Sequence, residues 1–210
     1  MNGDTPLHLA AARVFDELIG TLLRRGADVD VANNGGQRAL RVAVIFNYIT
    51  SAEALLEAGA DPNLGYGNHY EDIPLALAGC DVAMTAMLLK YGADIKASDC
   101  VDYTALHRVA ESGMPDVIDA LVEAWADLGA RSDIIWTDTG YEYRGLTPLH
   151  AAAIRVDVEN IARLLDNRAD INATDDDGYN AQWLMWEPTS CCGEVRTRRS
   201  RTMIGIPLQS

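Results

Sequence analysis

Between Thr147 and Asp170 the apolar residues fall into two short bursts separated by a polar turn. The first burst, Leu149 with Ala151, Ala152 and Ala153, predicts a short helix. Thr147-Pro148 opens it, because a threonine oxygen caps free backbone N–H groups and Pro148 stands where no N–H is needed. The alanines let a neighbouring helix approach closely. The second burst places Val158, Ile161, Leu164 and Leu165 three or four residues apart, the spacing of one helical stripe. A single helix pair cannot bury that stripe alone, so the pattern demands copies stacked on one another.

The copies are present. The register recurs at Thr5-Pro6-Leu7-His8, Arg38-Ala39-Leu40-Arg41, Ile73-Pro74-Leu75-Ala76, Thr104-Ala105-Leu106-His107 and, weakly, Asn180-Ala181-Gln182-Trp183. Counting the copy at Thr147, successive starts lie 33, 35, 31, 43 and 33 residues apart. A second landmark closes each copy, at Gly26-Ala27-Asp28, Gly59-Ala60-Asp61, Gly92-Ala93-Asp94, Trp125-Ala126-Asp127 and Arg168-Ala169-Asp170. A T-P-L-H-x-A signature with a period of about 33 residues resembles the ankyrin repeat family.

The resemblance covers residues 3 to about 186 and implies an all-α ankyrin-repeat solenoid of helix-turn-helix repeats with connecting β-turn loops, five repeats plus a partial C-terminal one. Repeats are expected near 1–33, 34–67, 68–98, 99–128, 142–174 and, partial, 175–186, with an insertion at 129–141 and a basic, disordered tail at 187–210. The resemblance also implies a task, that of a non-catalytic protein–protein interaction module without cofactor. Positions matching the family's variable concave wall are Asp4, Arg13, Gln37, Ile45, Phe46, Asp72, Tyr103, Glu111, Ser112, Leu146, Ile154, Arg155 and Tyr179. They mix aromatics with both signs of charge, which suits a protein partner. The histidine of the signature, present as His8, His107 and His150, is implied to bond backbone groups of the neighbouring repeat rather than a metal.

Departures from the pattern sharpen this reading. The first repeat has nothing upstream to cover the apolar faces of Leu7, Leu9, Leu18, Ile19, Leu22 and Leu23, so either the chain is a piece of a longer one or this repeat is partly exposed. Ile45 and Phe46 end the first helix of the second repeat, as partner contacts or covered by local packing. Gly65-Tyr66-Gly67 lacks the third glycine of a phosphate loop and reads as a turn. Trp125 and Arg168 replace the glycine that ends the second helix. A tryptophan at positive φ would be strained, so that helix end is expected to differ locally. The insertion carries Ile134, Ile135, Trp136, Tyr141 and Tyr143 around Asp138-Thr139-Gly140. It is read either as an extended finger, a small hairpin offering partner contacts, or as a loop folded back over Trp125. Asp175-Asp176-Asp177-Gly178 lacks the first ligand and the closing Glu of a calcium loop. Trp183, Met185 and Trp186, in a last helix stopped by Pro188, are expected to cap the stack.

Composition narrows the class. The 210 residues are 49% hydrophobic and carry a formal charge of −14. The tail from Glu187 holds four Arg against two Glu, leaving about −16 on residues 1–186. Such a body repels phosphate backbones, so nucleic acid is not an expected partner. Cys80, Cys100, Cys191 and Cys192 form no paired framework, and no stretch reaches the roughly 20 apolar residues of a membrane span. An intracellular, cytoplasmic monomer binding an unidentified protein partner is expected. Cys191-Cys192 beside Arg196, Arg198, Arg199 and Arg201 reads either as an acylation site next to a basic patch or as plain tail. The chain carries no G-x-S-x-G, H-E-x-x-H or G-x-x-x-x-G-K-[ST] and no paired Cys/His spacing, so no catalytic or metal site is assigned. The runner-up reading is a regulatory or targeting segment of a larger multidomain protein or effector, with an enzyme a distant third.

Overall fold

The computed structural model describes residues 2–13, 15–65, 74–78, 81–112, 114–133, 135–136 and 142–186. Eleven helices are found there, and ten of them pair in chain order as α1 (Pro6–Ala11) with α2 (Asp16–Arg24), α3 (Ala39–Ile45) with α4 (Ile49–Glu57), α5 (Pro74–Leu77) with α6 (Val82–Lys90), α7 (Ala105–Ser112) with α8 (Pro115–Glu123), and α9 (Pro148–Ile154) with α10 (Val158–Asp166). The last, α11 (Ala181–Trp186), stands alone. First helices touch first helices from α1 through α11, and second helices touch second helices from α2 through α10. The result is two parallel rows of helices around one continuous core.

That core follows the sequence pattern closely. Leu7, Leu40, Leu75, Leu106 and Leu149, one position per first helix, are all nearly inaccessible, as are Ile19, Leu55, Leu88, Leu121 and Leu164 in the second helices. Small residues such as Ala11, Ala43, Ala110 and Ala153 line the first-helix row at full burial, and they permit close helix approach. Val158 departs from its expected place. It is 68% exposed, because it is the first residue of α10 and projects past the neighbouring helices rather than between them.

The glycine-to-bulky replacements also resolve against expectation. Trp125 and Arg168 hold φ of 68° and 70°, the same left-handed turn that Gly26, Gly59 and Gly92 adopt. The helix end therefore does not differ locally; stacking of the repeats imposes the turn, and a Cβ there carries the strain. Nor does the insertion fold over Trp125, which is 87% exposed.

The insertion instead grows from a closed neck. Ser132 N–H donates to Leu146 O at 2.9 Å, and Gly145 N–H donates to Ser132 O at 2.9 Å. Beyond the neck, β1 (Ile135–Trp136) pairs antiparallel with β2 (Glu142–Tyr143). A small hairpin is what the alternating residues suggested, and its base is tied on both sides. Asp133 N–H donates to Val101 O at 2.7 Å, and Asp176 N–H donates to Arg144 O at 3.0 Å. Gly145, at φ +66°, packs against the Arg131 and Asp176 side-chain ends, which a Cβ there would push aside.

At the C-terminal end, Ala181 and Leu184 are buried while Met185 is 40% exposed. The cap is therefore built by Leu184 and by Trp183, whose ring stacks on Tyr179 with centroids 3.8 Å apart. At the other end Leu9 and Leu18 are exposed, while Leu7 and Ile19 are buried.

Candidate protein-binding face

The first helices and the turns preceding them form one side of the stack, and its shape is set by a repeated polar clamp. In the first repeat His8 Nδ1 accepts from Thr5 N–H at 3.3 Å and lies 2.8 Å from Thr5 Oγ1, while Nε2 lies 2.8 Å from Gln37 O. A nitrogen that accepts a backbone proton is unprotonated, so Nε2–H is the donor to the carbonyl. The same set recurs at Thr104/His107 with Leu146 O at 3.0 Å, and at Thr147/His150 with Tyr179 O at 3.1 Å. Each clamp carries one repeat's first helix onto the turn that starts the next. Both ring nitrogens are used, which leaves these histidines no free lone pair for a metal ion.

Burial favours the neutral ring at His107 and His150. His107 is pushed down to about 4, first by desolvation and against the opposing hydrogen bond to Leu146. His150 is lowered for the same leading reason. Arg41 and Ala76 stand where the second and third repeats would carry the histidine. There Arg38 makes a substitute bridge, donating from Nε to Asp30 O at 3.1 Å and from a terminal nitrogen to Gly65 O at 2.6 Å.

The turns are shaped by a second device that the sequence reading missed. Asn33 Oδ1 accepts from Gly35 and Gln37 N–H, Asp99 Oδ1 from Val101 and Tyr103 N–H, and Asp175 Oδ1 from Asp177 and Tyr179 N–H. A short acidic or amide side chain two and four residues before the turn's end is the available signal.

The predicted wall residues divide into three groups. Ile45 and Phe46 are 45% and 56% exposed at the end of α3, so local packing does not cover them. Arg13, Ser112 and Arg155 are exposed, and Gln37, Glu111, Ile154 and Tyr179 are half-buried. Asp4 is exposed and accepts from Asn33 Nδ2 at 2.6 Å. Leu146 and Tyr103, in contrast, are core residues at 0% and 3% exposure. Leu146 O is held by His107 of the preceding first helix, and the Tyr103 backbone closes onto Asp99, accepting its N–H at 3.1 Å and donating to its Oδ1 at 2.9 Å. The Tyr103 ring stacks on His107 at 4.7 Å, with the Arg108 guanidinium 5.0 Å above it. Burial first, and the Glu111 carboxylate second, push the Tyr103 hydroxyl up. Tyr143 of the insertion is buried too, because β2 runs directly into the neck.

Arg108 is a surface group that sequence reasoning passed over. It pairs with Asp99 at 2.7 Å while its side chain stays 42% exposed. The signal was legible, since Arg108 is the one charged residue at the x position of the repeated signature. Ile134, Tyr141, Asp72, His69, Cys191 and Cys192 lie outside the described residues, as do the side chains of Ile135, Trp136 and Trp186. Among the described residues no helix is long and apolar enough to cross a membrane.

Comparison with known proteins agrees with this architecture. The family model for ankyrin repeats (three copies) matches residues 1–65 and 73–175. The nuclear factor NF-kappa-B p105 subunit of Gallus gallus is 30% identical over 193 residues, covering 84% of this chain and 18% of that protein. NF-kappa-B inhibitor alpha of Sus scrofa is 32% identical over 142 residues, covering 62% of this chain and 45% of its own length. The chain thus spans less than half of these relatives. The crystal structure of the ankyrin repeat domain of Bcl-3, described as a unique member of the IkappaB protein family, superposes with a TM-score of 0.74 at 25% identity, over 86% of this chain and 79% of that one. Repeated clamps, paired helix rows and a family match across most of the sequence lead to one conclusion: the chain belongs to the ankyrin repeat family.

Proposed function

We propose that the chain is a non-catalytic protein-binding module whose concave wall and inserted hairpin hold a partner protein. The observation that carries this reading is the pair Ile45 and Phe46, two large apolar side chains left exposed at adjacent positions on the wall. Exposed Phe46 and Ile45 supply an apolar anchor, and Arg13, Glu111 and Arg155, at the equivalent positions of other repeats, supply charge along the same wall. The insertion adds Ile134, Ile135, Trp136 and Tyr141 as further contacts, with Tyr143 and Leu146 holding its base. NF-kappa-B is the first candidate partner to try, because one relative is by name its inhibitor.

A second reading is favoured by the coverage of the relatives, 18% and 45% of their lengths. In it the same wall serves as the regulatory or targeting segment of a larger protein. Affinity purification with mass spectrometry tests both, using wild type beside Phe46→Ala and Trp136→Ala. A stoichiometric partner should be captured by wild type and lost from the variants, with affinity at least tenfold weaker and thermal unfolding unchanged. Equal capture by all three would remove the wall and hairpin from the interface.

A further inference from the structure

The edge of the stack opposite the turns carries a surface that meets the wall at Arg13, Phe46 and Arg155 and extends beyond it. It is formed where each first helix ends and each second helix begins, and successive second helices pack side by side. Their N-terminal ends therefore form a row at helix-packing intervals of about 8–10 Å. Exposed apolar side chains recur along it: Phe15 at 52%, Val82 at 42%, Met114 at 37%, Val156 at 55% and Val158 at 68%. Phe15 and Met114 are N-cap residues, and Val82 and Val158 are first helical residues. They stand at the N-cap or one residue after it in four of the five second helices. At α4 the N-cap is Tyr48, stacked on Phe46.

Carboxylates alternate with these apolar groups, at Asp16, Glu17, Asp81, Asp116, Asp157 and Glu159, against Arg13 and Arg155. Asp81 is held below the usual carboxylate range, chiefly by the Met84 N–H it accepts. At α2 the pattern forms a shallow cleft of about 540 Å³ between Phe15, Asp16, Glu17 and Leu18. An apolar row with an acidic rim fits a segment that is both apolar and cationic.

The chain itself supplies one. Residues 187–210 carry Arg196, Arg198, Arg199 and Arg201, followed by Met203, Ile204, Ile206 and Leu208. The helix preceding them, α11, lies in the first-helix row. First helices end at the edge in question, so the described part of the chain leaves the stack at this row. The distance from α11 to α2 is five layers, about 40–50 Å. A segment of 24 residues reaches about 79 Å when extended.

The geometry points to the C-terminal segment 187–210 docking in cis along the apolar, acidic edge formed by the N-terminal ends of the second helices. Its arginines face the carboxylates of that edge and its apolar residues cover Val158, Val156, Met114 and Val82.

The test places a photo-crosslinking amino acid at Met203 in the full chain and maps intramolecular crosslinks by mass spectrometry. Crosslinks are expected to peptides holding Phe15–Leu18, Val82, Met114 or Val156–Val158. Reversing the four arginines to glutamate should cut their yield at least fivefold. The pair Val82→Lys and Val158→Lys, at exposed positions, should do the same with the thermal midpoint unchanged. Crosslinks to the turns at the opposite edge, at Gln37 or Tyr179, crosslinks between chains alone, or a yield no higher than in denaturant would each overturn the assignment.

Discussion

The helix pairs α7–α10 and α3–α6 have the same architecture but are held together differently. Between α7–α8 and α9–α10 the links are dense and patterned. Two Thr–His clamps close the turns, and buried Asn160 donates to Val109 O at 3.1 Å and Ala110 O at 3.0 Å. Arg163 pairs with Asp119, which also accepts from Asn167 at 2.8 Å. In α3–α6 the histidine positions hold Arg41 and Ala76, and α5 has four residues. The polar links are the Arg38 bridge, the Asn63 side chain, which donates to Gly92 O and accepts from Asp94 N–H, and single bonds such as Asn47 to Asp81 at 3.2 Å. Where the histidine is lost, apolar stacking carries more of the register. Stability in a repeat array is a sum of local terms, so the C-terminal half should be the last to open.

The largest effect is expected in the core. Leu88 of α6 and Leu121 of α8 are both fully buried, and truncating either to alanine should cost about 2–5 kcal/mol. Hydrogen exchange read helix by helix then sharpens the contrast. Leu88→Ala should speed exchange in α3–α6 while α9 and α10 keep wild-type protection. Uniform loss in both variants would show one cooperative unit and erase the difference.

Next comes pH. His107 titrates at about 4 in the folded chain against 6.5 unfolded, so only the unfolded state takes up the proton as pH falls between those values. Its contribution is complete above pH 6.5 and is lost as pH drops through 4, a change of up to about 3 kcal/mol. Denaturant titrations from pH 7 to pH 4 should show a markedly smaller decline in His107→Gln than in wild type. An unchanged decline would mean that the clamps do not set the acid limit.

Gly145→Ala should cost about 2 kcal/mol, because it adds positive-φ strain to a clash with Arg131 and Asp176. Gly59→Ala, where nothing lies within 4 Å, isolates the strain alone at about 1 kcal/mol. The smallest change is a gain. Trp125→Gly should add up to about 1 kcal/mol by relieving φ +68° at an exposed site. Thermal unfolding of the three variants orders them; a loss on Trp125→Gly would show that the indole makes contacts worth more than the strain.

Much of the fold was legible in the chain because an ankyrin-type repeat is written in local spacing. Thr-Pro starts, alanine faces and leucine pairs fix which residues are helical and which side is apolar, and the copies fix the stacking. The wall was legible only by position. Ile45 and Phe46 are exposed as that reading required, yet Tyr103, Leu146 and Tyr143 are buried. Register places a residue at a turn; it does not say whether the neighbouring repeat draws its side chain inward.

By itself, then, the sequence determined the period and the helix pairs, since each depends on residues a few positions apart; the hairpin is there one of two readings of the insertion, and the histidine clamps are what the family resemblance implies. Tertiary structure decided the rest. The contacts responsible join residues far apart in the chain, as with His107 and Leu146 at a separation of 39 or Asn160 and Val109 at 51. Trp125 and Arg168 take the glycine conformation for the same reason: stacking constrains the backbone there more strongly than the strain of a side chain opposes it.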